Sequence, residues 1–189
     1  MRALLFAGGR SKRMGRDKAL LEVEGIPCIA RVASALVEAG CEPIRIAVAQ
    51  PEDVERYGAV LPAGVDVEWV LDAVPHAGPI EAMVEALSDP LVSEVESVQL
   101  CPVDVPWITA ELFLELEKTL GPDDILAIPA DPRRTHPLLA RVRPALASAI
   151  GDDRRPLHIQ FGELEHSTLI ADPLILRNVN TPADLSDSD

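Results

Sequence analysis

Residues 1–21 read MRALLFAGGRSKRMGRDKALL, and the fold follows from how that stretch is parsed. An apolar run, Ala3 to Ala7, stops at Gly8-Gly9 and is followed by five cationic side chains: Arg10, Lys12, Arg13, Arg16 and Lys18. A short apolar run closed by glycine predicts a buried strand. In open α/β sheets, ligands bind at the carboxyl ends of strands, where such a loop would sit. The five cations come from only seventeen Lys and Arg in a chain of formal net charge -14. Positive charge gathered in one loop against that background predicts an anion site, a phosphate-binding loop after the first strand.

Strand and helix signals alternate outward from this stretch. Residues 29–39 carry apolar side chains at helical spacing and end at Gly40, a residue suited to a helix C-terminus. Residues 44–49 predict a second strand and 65–71 a third. Pro79 then opens a helix over 79–87, where a first turn tolerates it. A fourth strand is expected over 97–101 and a helix over 110–120 capped by Thr109, with Glu111 favourably placed in its first turn. Further strands are expected over 125–129 and 137–142, with a short helix over 144–150. Residues 152–165 read as mixed loop and helix, and 168–170 as a short strand. Thr181-Pro182-Ala183-Asp184 resembles a cap opening a last helical turn. Repeated β-then-α order predicts an α/β fold: three layers, α/β/α, around a mostly parallel, Rossmann-like sheet. The expected organisation is one domain over 1–185 and a frayed acidic tail over 186–189.

Composition narrows the class. At 189 residues, 48% hydrophobic and 3% aromatic, the chain can bury a core built mainly from Leu, Val, Ile and Ala. No apolar run reaches the roughly 20 residues that span a bilayer. Cys28, Cys41 and Cys101 are odd in number and lack C-x-x-C spacing, which predicts reduced thiols and no zinc site. A cytoplasmic protein is expected, with no membrane partner. The acidic balance argues against a nucleic-acid partner, which needs a broad basic surface. It leaves small anionic ligands open, because local charge in a cleft governs those.

The loop is not one of the commonest phosphate motifs. Arg16-Asp17 follows Gly15 where a Walker loop needs Lys and then Ser or Thr, and G-x-G-x-x-G fails at the adjacent pair Gly8-Gly9. What remains resembles the signature L-x-A-G-G-x-S-x-R-M-G-x-D-K-x-L of the molybdenum cofactor guanylyltransferase family, the MobA-type nucleotidyltransferases. Further motifs follow in that family's order: Val70-Leu71-Asp72 with Gly78-Pro79-Ile80, then Asp104-Val105-Pro106, His136-Pro137-Leu138 and Asn178-Val179-Asn180-Thr181-Pro182. The likeness spans roughly residues 3 to 185.

The resemblance implies an Mg²⁺-dependent nucleotidyltransferase that moves GMP from GTP to a molybdopterin-type cofactor and releases pyrophosphate. It implies that Phe6, Ala7 and Gly8 lie against the base and ribose, with Gly9 at the phosphates. Arg13 and Lys18 would hold the triphosphate, Asp72 would face the nucleoside, and Asp104 would bind Mg²⁺. Arg13, Lys18 and Asp104 form the implied catalytic set; Asn178 and Asn180 fall on the pterin side. A cofactor-delivery protein is a further implied partner.

The physical chemistry agrees with this cast. Phosphoryl-type transfer asks mainly for positioning and charge neutralisation, and Mg²⁺ needs only one or two protein carboxylates beside phosphates and water. Asp17 is expected to pair with a nearby cation, and His136 to be structural. Arg133 and Arg134 stand between a role at the second substrate's phosphate and plain solvation; Trp69 and Trp107 read as core or cleft wall. Two departures from the family pattern bear on the base: Ala47-Val48-Ala49-Gln50 replaces an Asn-containing stretch, and Glu81-Ala82 replaces a small Ala-Gly pair. Ala7-Gly8-Gly9 favours GTP over CTP. A related cytidylyltransferase or sugar-phosphate nucleotidyltransferase, and a non-catalytic nucleotide-binding paralogue, remain as alternatives.

Overall fold

The computed structural model of the chain describes residues 2–8, 17–71, 78–92, 94–180 and 184. Its first strand, β1 (Ala3–Phe6), is buried along its whole length. A small hairpin follows, β2 (Glu22–Val23) and β3 (Ile26–Pro27). Glu24 (φ 53°) and Gly25 (φ 77°) turn it, the paired left-handed conformation that two-residue hairpins use. Helix α1 (Cys28–Glu38) ends at Gly40, whose φ of 71° reverses the chain into β4 (Ile44–Val48). Helix α2 (Pro51–Gly58) has Pro51 in its first turn beside Glu52 and Asp53, which suit a helix N-terminus. Then come β5 (Val67–Leu71), α3 (Pro79–Leu87) and β6 (Val98–Pro102). Thr109 caps α4 (Ala110–Thr119), its hydroxyl oxygen accepting from the Leu112 amide at 3.4 Å. The remainder is β7 (Leu126–Ala130), β8 (Arg141–Val142), α5 (Leu146–Ile150), α6 (Leu157–Gly162) and β9 (His166–Ile170).

The main sheet has seven strands in the order β5-β4-β1-β6-β8-β7-β9. Every neighbouring pair is parallel except those made by β8. Side chains alternate across β1, as the strand period requires. Ala3 and Leu5 enter one core with α1, α2 and α4, while Leu4 and Phe6 enter another with α3, α5 and α6. Two apolar faces explain why β1 reads as an unbroken apolar run. The three-layer, mostly parallel α/β architecture is as expected.

Some elements differ from the expectation. Residues 137–142 are not one strand: Pro137–Leu139 form a 3-10 turn and only Arg141–Val142 pair, antiparallel to both neighbours. Buried Gln99 holds this turn in place, its amide nitrogen donating to the Leu139 and Leu100 carbonyls at 2.8 Å each. Helix α2 was not anticipated, although Pro51 with two following acids is a start signal. The mixed reading of 152–165 resolves into α6. The expected turn after Thr181 and the tail over 186–189 lie outside the described residues, apart from Asp184.

Phe113 on α4 is 1% exposed in the core shared with α1. Phe113→Ala should cost about 3–5 kcal/mol in denaturant unfolding, the range for emptying a buried aromatic site. The cysteines give a second readout. Cys28, Cys41 and Cys101 are all free and buried. Burial, and then the Asp104 carboxylate, push the Cys28 thiol up from 9.0 to about 11. Burial also raises Cys41 and Cys101. A raised thiol favours the fold below its unfolded value of 9.0, and that contribution is lost as pH rises through about 11. All three thiols should therefore resist an alkylating reagent in the native protein at neutral pH and react after unfolding.

Candidate functional site

The strand order reverses at β1, whose neighbours β4 and β6 lead away in opposite directions, and such a reversal opens a crevice at the carboxyl ends. A cleft of about 420 Å³ lies there. Phe6, Ala7 and Gly8 enter it from the end of β1, Lys18 from a 3-10 turn (Lys18–Leu20), and Asp104 from just beyond β6. Lys18 Nζ donates to Asp104 Oδ2 and to Asn180 Oδ1, both at 3.0 Å. Asn178 Nδ2 donates to Asp104 Oδ1 at 3.1 Å, and Arg134 Nη2 donates to Asn178 Oδ1 at 3.3 Å. One polar chain thus joins residues far apart in sequence, and each side of the Asp104 carboxylate has a donor.

The supports of this chain are local. Asp17 Oδ1 accepts from the Ala19 amide at 3.1 Å and so caps the turn that carries Lys18. Asp17 Oδ2 accepts from the Tyr57 hydroxyl at 2.8 Å and from Arg56 at 3.0 Å. Burial and then the Asp17 carboxylate push the Tyr57 hydroxyl upward, which keeps it a donor. The Asp104 turn is held from two sides: the Val179 amide donates to the Asp104 carbonyl at 2.8 Å, and Arg31 Nε to the Pro106 carbonyl at 2.9 Å. Trp107 packs under this region, with the Arg177 guanidinium 3.9 Å from its ring centre.

On the far side of the cleft, Asp131 organises the loop after β7. Its Oδ1 accepts from the Arg133 and Arg134 amides at 2.7 and 3.1 Å, and its Oδ2 meets His136 Nε2 at 2.9 Å. The His136 contact, and next the Arg133 amide, hold the Asp131 carboxyl down at about 2, against an ordinary 3.8. Beside this loop opens a second cleft of about 1000 Å³. Glu81 of α3 faces Arg154 across its edge in a two-pronged pair, Nε to Oε1 at 2.6 Å and Nη2 to Oε2 at 3.0 Å.

Of the residues expected to matter, Phe6, Ala7, Gly8, Lys18, Asp104 and Asn178 come together in the first cleft, and Asn180 reaches it through Lys18. The Phe6 and Ala7 side chains are largely spent on the two cores, and the Ala7 and Gly8 amides both donate to the Ala47 carbonyl, at 3.1 and 3.0 Å. Gly9, Arg13 and Asp72 lie outside the described residues, as do Arg10, Lys12 and Arg16. Gln50 is exposed at the start of α2 and does not line the first cleft. Asp17 does pair with a cation, the distant Arg56. His136 is buried against Asp131 as a structural partner. The sequence reading missed Tyr57, which no local pattern marks, and Asp131, whose Asp-Pro step was a legible turn signal. Among the described residues, no three His, Cys, Asp or Glu side chains stand close enough to share a metal. No helix among them is long and apolar enough to cross a membrane.

Comparison with known proteins fits this geometry. The sequence model of the MobA-like NTP transferase domain matches residues 3–162. A protein of Rhodopirellula baltica named probable molybdenum cofactor guanylyltransferase is 30% identical over 96% of this chain and 88% of its own length. Among solved structures, molybdopterin-guanine dinucleotide biosynthesis protein A from Archaeoglobus fulgidus superposes with a TM-score of 0.72 at 20% identity, covering 98% of this chain and 95% of that one. A 4-diphosphocytidyl-2C-methyl-D-erythritol synthase from Anaerococcus prevotii superposes with a TM-score of 0.74 at 14% identity, covering 97% and 94%. Identities this low speak for the fold alone. The fold, the crevice at the strand reversal and the domain match define a nucleotidyltransferase. More narrowly, the chain belongs to the MobA-like NTP transferase domain family.

The Asp131 carboxyl yields a pH test. A depressed carboxyl contributes stability above its unfolded value of 3.8, and that contribution is lost as pH falls through about 2. Asp131→Asn should flatten the acid end of the stability curve over that window, measured by denaturant midpoints against the unaltered chain.

Proposed function

We propose that this chain transfers GMP from GTP to the terminal phosphate of a molybdopterin-type cofactor and releases pyrophosphate. The observation that carries the reading is the meeting of Lys18 and Asp104 at 3.0 Å in the crevice beside β1, with Asn178 completing the carboxylate's contacts. A bond forms from an acceptor phosphate oxygen to the α-phosphorus as the bond to pyrophosphate breaks. The acceptor is already anionic, so the chain need supply no general base. Its work is to align the two phosphates and offset charge on the leaving group. Lys18 carries a mobile point charge suited to the triphosphate, and Arg13 adds a forked donor from the same loop. Phe6, Ala7 and Gly8 form the nucleoside side together with Asp72, and Gly9 lies at the phosphates. The working unit is residues 1–185. The reading carries with it a cytoplasmic setting and a cofactor-delivery protein as the acceptor's source.

Asp104 is the residue that would hold Mg²⁺. One half-buried carboxylate at the cleft fits a metal that takes most of its ligands from phosphates and water. When bound, the ion would supply charge neutralisation on the phosphate oxygens. Lys18 and Asn178, which now share the Asp104 oxygens, would then be free to turn to phosphate.

The fold is neutral on the base, since a protein named for cytidylyl chemistry shares it. Ala7-Gly8-Gly9 favours GTP. Pyrophosphate release should be seen with GTP and molybdopterin, and not with ATP, CTP or UTP; activity with CTP and none with GTP would exchange this reading for the cytidylyltransferase. Asp104→Ala should lower turnover by roughly 10²–10³-fold, as loss of a charge-organising group does, while thermal unfolding stays near that of the parent. Undiminished turnover in that variant would remove Asp104 from the mechanism.

A further inference from the structure

The turn that carries Lys18 is tied to an element that none of the sequence motifs contains. Helix α2 (Pro51–Gly58) follows β4 and brings Tyr57 to Asp17. The Tyr57 ring is 3% exposed, packed into the core that α1 and α4 share and that also takes Ala19 of the Lys18 turn. Its hydroxyl donates to Asp17 Oδ2 at 2.8 Å, while Asp17 Oδ1 accepts from the Ala19 amide at 3.1 Å. One carboxylate thus joins a buried ring on α2 to the turn that aims Lys18. Tyr57 is not among the described residues that line the first cleft.

Asp17 and Lys18 are sequence neighbours, and both line that cleft. A carboxylate there carries the wrong sign for a triphosphate and is a ready partner for the lysine beside it. The structure avoids both outcomes. Each Asp17 oxygen is committed to another donor, and Lys18 Nζ goes instead to Asp104 and Asn180, at 3.0 Å each. Two side chains share the work at Oδ2, and they are not equal. The Arg56 side chain is 48% exposed and divides itself between Asp17 and Asp53, and ion pairs in that setting contribute little. The Tyr57 bond has an ionised acceptor and a donor fixed by a ring already packed in the core, so it is the stronger hold.

Resting on the reading above, in which Lys18 meets the triphosphate, we propose that Tyr57 is a positioning residue for nucleotide binding. Acting through Asp17, it fixes the Lys18 turn and keeps the Asp17 carboxylate from capturing Lys18 Nζ. The lysine is thereby left pointing into the cleft, where an incoming phosphate can exchange for Asp104 and Asn180.

The test is a double-mutant cycle on equilibrium binding of GTP, with ATP, CTP and UTP in parallel, each carried up to millimolar nucleotide. The four proteins are the parent chain, Tyr57→Phe, Lys18→Met and the double variant. Tyr57→Phe keeps the ring in the core and removes only the hydroxyl. Affinity for the nucleotide that the parent binds should fall roughly tenfold in Tyr57→Phe, the effect of losing a hydrogen bond to a charged group. In the Lys18→Met background the same substitution should change affinity by less than about twofold, because the side chain it positions is gone. Asp17→Asn, which leaves the buried ring untouched, should show the same loss and the same dependence on Lys18. Unchanged affinity in Tyr57→Phe, or an equal loss with and without Lys18 in either pair of variants, overturns this inference and leaves the guanylyltransferase reading standing. A parent that binds CTP and not GTP overturns that reading, and the cycle is then read on CTP. A parent that binds none of the four nucleotides overturns both.

Discussion

Strand β1 is held on both sides, by β4 from Ala3 to Phe6 and by β6 over the same residues, and it has no free edge. Its amides and carbonyls are committed to two parallel ladders, and its side chains to two cores. The commitment continues past the strand: the Ala7 and Gly8 amides reach the Ala47 carbonyl, and the Val103 amide reaches the Phe6 carbonyl at 3.3 Å. Three chain segments are thereby aligned at their carboxyl ends. The crevice between them follows from the pairing, because β4 and β6 carry the chain to opposite sides of the sheet.

What fills the crevice is a polar chain assembled from parts far apart in sequence. Lys18 and Asp104 are 86 positions apart, and Lys18 and Asn180 162 apart. Each is set by a short-range device: the Asp17 cap on the Lys18 turn, the Arg31 bond to the Pro106 carbonyl, and the Val179 bond to the Asp104 carbonyl. Partial burial makes the charges in this chain worth more to each other than they would be in water. The contacts therefore order the cleft before a ligand arrives, and the same donors can be exchanged for phosphate oxygens when one does.

A departure from the family pattern also finds its account. The carboxylate at position 81 places a negative charge at the edge of the second cleft. Arg154, from the segment between α5 and α6, meets it with both prongs and balances that charge. Pairs of this kind at a partly exposed site contribute little to stability.

Much of this was legible in the order of residues. The apolar run with Gly8-Gly9, the strand-helix alternation and the cap at Thr109 depend on near neighbours, whose influence acts wherever the chain goes. The family resemblance likewise singled out Lys18, Asp104 and Asn178, and the structure brings all three to one cleft. Other features depend on what lies across space, and no window of sequence contains it. Residues 137–142 read as a strand by composition, but buried Gln99 claims the carbonyl of Leu139 and turns them. Asp17 has its cation in Arg56 and a hydrogen-bond donor in Tyr57, 39 and 40 positions on. The sequence alone determined the α/β alternation and a buried first strand that ends at a glycine. Only the tertiary structure decided that Asp104 sits between Lys18 and Asn178, and that Arg154 is paired with Glu81. The reason is physical: hydrogen bonds and ion pairs act over a few ångströms of space, and folding alone brings those residues within that range.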